Sequence, residues 1–162
     1  MSVFIVQAEQ LRQMQSVAEQ SYPAECCGLL VGELQRQGEA ETKVLLEVWE
    51  MRNAWETAFT NGSLPDLVLS TGQHLAKTER YWIDPKDLLT AQRTARDRGL
   101  TILGVYHSHP NHPAIPSECD RTLAWAEYSY IIVSVQQGVA EAVRCWSLDE
   151  NHQFQEEEMR FA

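Results

Sequence analysis

The stretch His107-Ser108-His109-Pro110-Asn111-His112-Pro113-Ala114-Ile115-Pro116-Ser117-Glu118-Cys119-Asp120 directly follows an apolar run, Thr101 to Tyr106. A run of that length and character predicts a strand buried on both faces of a sheet. Side chains two residues apart at the end of a strand point to the same side, so the imidazoles of His107 and His109 can reach one ion. We therefore predict a metal site where this strand ends.

The loop and helix after the strand complete the predicted site. The three prolines between His109 and Ser117 each fix φ, which stiffens the loop. Ser117-x-x-Asp120 is a capping-box pattern, and it predicts a helix from Ser117 to about Glu127. Such a helix would bring Asp120 to the metal and leave the Ser117 hydroxyl beside a bound substrate oxygen. Two imidazoles and one carboxylate, with the fourth position left to water, favour a catalytic zinc ion, Zn2+, at one per chain.

Length and composition indicate one globular domain over residues 1–162. The net charge of −10 and a pI near 4.9 argue against nucleic acid or an anionic membrane surface as partners. The N-terminal segment lacks the features of a signal peptide and no run approaches membrane-spanning length, so a cytoplasmic location is expected. The four cysteines show no C-x-x-C spacing, and we expect them to be reduced.

Hydrophobic periodicity predicts an α/β domain, with a mixed, mainly antiparallel β-sheet and helices packed against it. The predicted helices are Ala8–Ser21, a helix capped by Asp84 that ends at Gly99, and the helix from Ser117. The predicted strands are Val3–Val6, Cys26–Leu34, Thr42–Met51, Arg80–Ile83, Thr101–Tyr106, Ser129–Val135, Ala140–Ser147 and Gln153–Phe161.

Two segments carry further expectations. Residues 56–78 contain turn residues without lasting periodicity, which predicts a loop insertion. Gln153–Phe161 is expected at a sheet edge, with Glu156, Glu157 and Glu158 forming a solvated face. A long loop and an edge strand leave room for a homodimer.

Hydrolysis with a metal-bound water also needs a carboxylate that accepts a proton and later delivers one to the leaving amine. Glu25 lies between Pro23 and an apolar strand, where its carboxylate would enter a cleft at the end of the sheet. From the residues alone, an ordinary surface position for Glu25 is as well supported as a catalytic one.

The spacing His107-x-His109, seven residues, Ser117, two residues, Asp120 resembles the signature of the JAMM (MPN-plus) metalloproteases. The segment Pro23-Ala24-Glu25-Cys26-Cys27-Gly28-Leu29-Leu30-Val31-Gly32 resembles the part of that family that carries its catalytic glutamate. The likeness extends through Ile83-Asp84-Pro85 and Ser129–Val135. The sequence is similar in particular to the short bacterial Mec-type members of the family, which act on ubiquitin-like sulfur-carrier proteins.

This resemblance implies a JAMM/MPN, cytidine-deaminase-like fold and a zinc metallopeptidase activity. The implied reaction is hydrolysis of a peptide or isopeptide bond after the C-terminal Gly-Gly of a ubiquitin-like carrier, whose tail would be the partner. The implied roles are zinc ligands for His107, His109 and Asp120, general base and then acid for Glu25, and oxyanion donor for Ser117.

Two other functions stay open. The three ligand types also suit a 2-His-1-carboxylate iron oxygenase, although such a site gives Glu25 and Ser117 no task. A non-catalytic scaffold of the same fold would bind a partner without metal, but every residue of the signature is present. A zinc nucleobase deaminase is excluded, because its H-x-E and P-C-x-x-C motifs are absent.

Overall fold

A computed structural model of the chain describes residues 2–65 and 79–162. The greater part of the predicted insertion, residues 66–78, therefore lies outside the described residues. In chain order the elements are β1 (Ser2–Val6), α1 (Ala8–Ser21), β2 (Cys27–Gln37), β3 (Ala40–Met51), α2 (Trp55–Thr60), α3 (Pro85–Asp97), β4 (Thr101–Pro110), α4 (Glu118–Leu123), β5 (Ser129–Gln136), β6 (Val139–Leu148), β7 (Phe154–Glu156) and β8 (Glu158–Phe161).

All of these strands belong to one sheet with the order β7-β6-β5-β4-β2-β3-β1-β8. The β1/β3, β1/β8 and β4/β5 pairs are parallel, and the other neighbours are antiparallel. The predicted fold class, α/β with a mixed and mainly antiparallel sheet, is confirmed. β4, which carries the two histidines, lies inside the sheet between β2 and β5.

Helices α1 and α3 pack on opposite faces of the sheet. Met14 and Val17 of α1 belong to the same buried cluster as Leu30 of β2. Ala91 and Ala95 of α3 belong to a second buried cluster, which contains Leu29 of β2. Because neighbouring residues of β2 serve different clusters, the central strands are buried on both sides and read as continuous apolar runs.

Close approach of β4 and β5 depends on a glycine. A Cβ atom on Gly104 would lie 1.8 Å from the backbone oxygen of Ser129, a distance that no side chain tolerates. Glycine at this position therefore lets β5 pair beside the histidine strand.

The two helices with the clearest sequence signals have the predicted positions. α1 spans Ala8–Ser21, the range that the apolar periodicity indicated. In α3 the Asp84 side chain accepts a hydrogen bond from the Lys86 backbone nitrogen at 2.8 Å, and Pro85 follows in the first turn. Gly99 lies just beyond the helix end and has a φ of +70°, in the left-handed region that favours glycine.

Three predictions of local structure are wrong in part. Residues 56–60, which were expected to begin the loop insertion, belong to helix α2. Arg80–Ile83 is not a strand, because its backbone bonds to the side chain of Asn53 and to the start of α2 in place of a neighbouring strand. The helix after Ser117 ends at Leu123 and not near Glu127.

The predicted edge strand Gln153–Phe161 is two strands on opposite ends of the sheet order. β7 pairs with β6, whereas β8 pairs with β1. Only Glu157 separates them, so the sheet must curl until its two edges meet at this residue. Sequence patterns that span only one or two neighbouring strands do not indicate that the two edges of the sheet meet.

Glu156 and Glu158 are exposed as expected, whereas Glu157 is buried at this junction, which corrects the expectation for this one residue of the acidic face. The Ser129 hydroxyl lies 2.5 Å from Glu157 Oε1, and Lys43 Nζ lies 2.5 Å from the same hydroxyl. Lys43 Nζ is 3.9 Å from Glu157 Oε2, and both side chains are almost completely buried. The buried carboxylate and ammonium groups compensate each other's charge.

We predict that Glu157→Ala lowers the free energy of unfolding by about 3–5 kcal/mol, because it leaves the Lys43 charge buried without a partner. Denaturant titration measures the change. The adjacent Glu156→Ala is the matched control: it removes a half-exposed partner of Arg144, and it should cost less than about 1 kcal/mol. Equal, small costs for the two variants would contradict the buried pair.

Candidate metal centre

The two histidines lie at the end of β4, which continues through them to Pro110. Both imidazoles are buried, and their Nε2 atoms are 3.1 Å apart. Two unprotonated ring nitrogens at that distance repel each other unless a proton or a cation lies between them. Side chains two residues apart on a strand point to the same side, and this places the two imidazoles next to each other.

Asp120 joins the histidines from the first turn of α4. The predicted capping box is present: the Asp120 backbone nitrogen donates to Ser117 Oγ at 3.1 Å, and the Ser117 nitrogen donates to Asp120 Oδ2 at 2.8 Å. The same Oδ2 atom lies 3.3 Å from His107 Nε2 and 3.1 Å from His109 Nε2. One cap thus orients both the hydroxyl and the carboxylate.

The three atoms form a triangle that fits a tetrahedral metal. Its sides are 3.1, 3.1 and 3.3 Å. Tetrahedral ligands bound at about 2.0–2.1 Å are separated by about 3.3 Å, the value that a zinc site with nitrogen and oxygen ligands requires. His109 Nδ1 is 2.9 Å from the Pro113 carbonyl, so this nitrogen carries the proton and Nε2 keeps its lone pair for a metal.

Glu25 faces the same centre. It is only 6% exposed, and its Oε1 atom is buried without a hydrogen-bond partner. A carboxylate oxygen of Glu25 and one ring nitrogen from each of His107 and His109 all lie within 4.8 Å of one another. Asp120 Oδ2 lies within 3.3 Å of both imidazole nitrogens, which suits Asp120 as a ligand, and Glu25 lies close enough to the same two histidines to interact with a bound ion.

Ser108, between the two histidines, was not singled out from the sequence. Its hydroxyl accepts a hydrogen bond from the Cys26 nitrogen at 2.8 Å, and its own nitrogen donates to the Cys26 oxygen at 3.2 Å. This double link fastens the residue after Glu25 to the residue between the histidines. The alternation of the strand was the available signal, since it turns Ser108 away from the metal and into the core.

Burial and the neighbouring charges shift the pKa values of these groups in different directions. Burial raises the pKa of Glu25 well above its usual range, and the charge of Asp120 raises it further, while Arg80 acts in the opposite direction. Burial lowers the pKa of His107 despite the attraction of Asp120. Burial also opposes ionisation of Asp120, but the two histidines outweigh it and hold the pKa of that carboxyl well below its ordinary value. A neutral His107 beside an ionised Asp120 is the state that binds a metal.

A cleft of about 330 Å³ opens onto this centre. Its lining includes Glu25, His109, Ser117, Glu79, Arg80 and His112. Tyr81 follows Arg80 in the chain, and its ring stacks on His107 with centroids 4.5 Å apart. A separate apolar groove of about 410 Å³ lies on the side of Tyr81 that faces α3, and it contains none of the five predicted site residues.

Asn53 is a second residue that sequence reasoning missed. Its Nδ2 donates to the Glu25 carbonyl at 3.0 Å and to the Arg80 carbonyl at 3.1 Å. Its Oδ1 accepts from the backbone nitrogens of Trp55 and Trp82. One amide group therefore joins the segment before β2 to the wall of the cleft, a role that no local pattern signals.

The sequence matches the family of prokaryotic homologs of the JAB domain over residues 7–149. That range covers most of the chain, and the chain belongs to this family. The resemblance to JAMM (MPN-plus) proteins read from the signature residues is thereby confirmed. No helix among residues 2–65 and 79–162 has the length and apolar character needed to cross a membrane.

Two curated relatives carry functional names. A Thermus thermophilus protein, the "Probable TtuB-protein conjugate cleaving protease", is 34% identical over 80 residues, which is 49% of this chain and 51% of that protein. A desampylase of Haloferax volcanii is 36% identical over 55 residues, 33% of this chain and 40% of that protein. The match thus spans about half the length of these relatives or less.

Solved structures share the whole fold. A protein from Desulfitobacterium hafniense matches with a TM-score of 0.71 and 27% identity over 100% of this chain and 93% of its own. A Salinibacter ruber protein matches with a TM-score of 0.65 and 27% identity, over 100% of this chain and 92% of its own. A JAB1/MPN domain protein from Archaeoglobus fulgidus matches with a TM-score of 0.51 and 17% identity, over 100% of this chain and 96% of its own. At that identity the match supports the fold alone.

We predict that the protein binds about one zinc ion and that His107→Ala and Asp120→Ala abolish this binding, because each removes a corner of the triangle. At zinc concentrations about 100-fold above the dissociation constant, the metal should stabilise the wild type by about 2.7 kcal/mol. Elemental analysis and thermal unfolding with and without zinc check both expectations.

His112→Ala is the control for these variants. His112 lines the same cleft but belongs neither to the triangle of His107, His109 and Asp120 nor to the group that Glu25 forms with the two histidines, so the variant should retain zinc. Loss of zinc from His112→Ala together with retention in Asp120→Ala would assign the ligands differently.

Proposed function

We propose that this chain is a zinc-dependent peptidase that hydrolyses the peptide or isopeptide bond after the C-terminal Gly-Gly of a ubiquitin-like sulfur-carrier protein. The observation that carries the proposal is the triangle of His107, His109 and Asp120 with the unpartnered Glu25 carboxylate beside it. The carrier's C-terminal tail would be the partner, and the cytoplasm the expected location. The names of the two curated relatives support this substrate class.

In this proposal His107, His109 and Asp120 hold the zinc ion. When bound, zinc supplies Lewis-acid chemistry, which polarises carbonyl oxygens and makes water more acidic. The protein must then provide a proton acceptor, a donor for the leaving amine and a group that stabilises negative charge on the carbonyl oxygen. Cleft residues of suitable chemistry lie beside the ligands for each of these tasks.

Glu25 is the proposed proton carrier. Its buried carboxylate has no hydrogen-bond partner at Oε1, so that oxygen is free to accept a proton from the attacking water. Burial raises the pKa of Glu25, which strengthens it as a base, and binding of a cation nearby lowers that pKa again. A group balanced in this way can take a proton and return it to the leaving nitrogen near neutral pH.

Ser117 is the proposed oxyanion donor. Its oxygen accepts the Asp120 backbone N–H, which leaves the hydroxyl hydrogen free to point into the cleft. A donor held by a helix cap needs little reorganisation when negative charge develops on the substrate oxygen.

The proposed activity can be tested with small ubiquitin-like proteins of the host. Each is extended beyond its C-terminal Gly-Gly, by a peptide in one set and by a lysine-linked peptide in another, and is incubated with the zinc-loaded protein. Mass spectrometry should show products that end in Gly-Gly. If the protein purified without air contains iron and then consumes oxygen, the result would support an oxygenase. If it binds a partner without holding a metal or cleaving a bond, the result would support a scaffold.

We predict that Glu25→Gln keeps zinc and the fold but slows hydrolysis by about 100-fold or more, because the amide cannot carry the proton. Single-turnover cleavage measures the rate, and elemental analysis verifies the metal content. Cleavage at the wild-type rate would remove Glu25 from the mechanism.

Ser117 has two tasks, a helix cap and an oxyanion donor, and two substitutions separate them. Ser117→Ala should cost about 1 kcal/mol of stability, whereas Ser117→Gly at an N-cap should cost only a few tenths. Both variants lose the hydroxyl, and both should lower kcat by about 100-fold. If kcat followed stability and only Ser117→Ala were impaired, Ser117 would be a cap without an oxyanion role.

A further inference from the structure

Arg80 is a cation on the wall of the cleft. Its Nη1 donates to the backbone oxygen of Glu79 at 3.0 Å, and its Nε is sealed from solvent without an acceptor. Among residues 2–65 and 79–162, no carboxylate forms an ion pair with it. A guanidinium has several N–H donors in a planar fork, and within the described ranges only the Glu79 carbonyl accepts a hydrogen bond from it.

Asn53 holds this residue in place relative to the catalytic centre. A single Nδ2 group binds the carbonyls of both Glu25 and Arg80, at 3.0 and 3.1 Å. The backbone beneath the guanidinium is therefore tied to the backbone beneath the proposed base. A cation fixed in this way is suited to orient a substrate, because little freedom is lost when it binds.

The substrate side of the cleft defines which anion could meet Arg80. The acyl side of the proposed scissile bond ends in two glycines and has no charge. On the leaving side, a lysine-linked conjugate presents an uncharged aliphatic chain, whereas a single C-terminal residue carries its α-carboxylate on the carbon next to the scissile nitrogen. Carboxylate and guanidinium form paired, charge-assisted hydrogen bonds.

We infer that Arg80 is a specificity-determining residue that binds the free α-carboxylate of the leaving residue. The favoured substrate is then a ubiquitin-like protein extended by one residue in ordinary peptide linkage, in preference to a lysine-linked conjugate. In the reaction, water adds to the scissile carbonyl and the C–N bond breaks. The products are a protein ending in a glycine carboxylate and one free amino acid. The inference rests on the proposed function for the cleavage step but not for the binding step.

The first experiment compares three substrates built on the same ubiquitin-like protein: one extra residue as the free acid, the same residue as its amide, and a lysine-linked peptide. For the wild type, kcat/KM for the acid should exceed that for the amide by at least about 10-fold, as expected for a hydrogen-bonded charge pair. Arg80→Gln should reduce the acid-to-amide ratio to about 1, and Arg80→Lys should retain part of it because the charge remains without the fork.

Two further variants control for charge alone. Arg36→Gln removes one positive charge on the β2–β3 hairpin, where Arg36 pairs with Glu41, and should leave the ratio unchanged. Glu79→Gln removes a carboxylate from the cleft itself and should raise the ratio. The measurements belong near physiological salt, where remote charges are screened beyond about 8 Å.

The second experiment measures binding without cleavage. Zinc-loaded Glu25→Gln is titrated with the acid and the amide, and the acid should bind at least about 10-fold more tightly. Adding Arg80→Gln to this variant should remove the difference.

The outcomes separate the two proposals. An acid-to-amide ratio near 1 in the wild type overturns the inference. So does a ratio that Arg80→Gln leaves unchanged while the cleavage of both substrates slows equally, because Arg80 would then contribute to cleavage without recognising the carboxylate. Equal binding of acid and amide also overturns it. If no substrate is cleaved but the acid is bound in an Arg80-dependent way, the proposed peptidase function fails and the carboxylate site stands.

Discussion

The antiparallel pairing of β2 with β4 is the constraint on which the centre depends. Cys27 lies opposite His107 in the register, and Cys26 is bonded to Ser108 through both its nitrogen and its oxygen. The chain before Cys27 therefore runs along the chain after His107, which sets Glu25 beside His109. A shift of one residue in this register would turn either the histidines or Glu25 to the other face of the sheet.

The remaining parts of the structure hold this register in place. Apolar side chains bury both faces of β2 and β4 under α1 and α3, so neither strand can slide without exposing them. Gly104 lets β5 pair closely on the other side of β4. The loop after the histidines is anchored on the same side, because Asn111 donates to the Val135 carbonyl and the Ser134 hydroxyl donates to the His112 carbonyl. Rigidity of the ligand loop thus comes from contacts with β5 as well as from its prolines.

Local signals predicted the parts of the site that local structure creates. The alternation along β4 indicated that His107 and His109 share a side, and Ser117-x-x-Asp120 indicated the cap that orients Asp120. What could not be predicted depends on contacts between distant segments. Glu157 reads as a surface residue by composition, yet the curl of the sheet buries it against Lys43. Asn53 reads as a loop residue, yet it bridges Glu25 and Arg80. The position of Glu25 itself was undecided by the residues alone, because the register of β2 against β4 has no signature in either strand.

The energetics of the cleft point in the same direction as its geometry. Within the described part of the chain, the buried side-chain atoms without a hydrogen-bond partner are Glu25 Oε1, Arg80 Nε, Tyr106 OH, His107 Nδ1 and Glu157 Oε2. Three of the five belong to residues in or beside the cleft, although each such atom costs the fold about 1–3 kcal/mol. A fold selected for stability alone would fill those positions with apolar side chains or supply partners from the neighbouring strands. Glu25 belongs to the group formed with the two imidazoles, so a cation or a polar substrate bound there would supply the missing interaction of its Oε1 atom, and part of the cost to the free protein would be recovered as binding free energy.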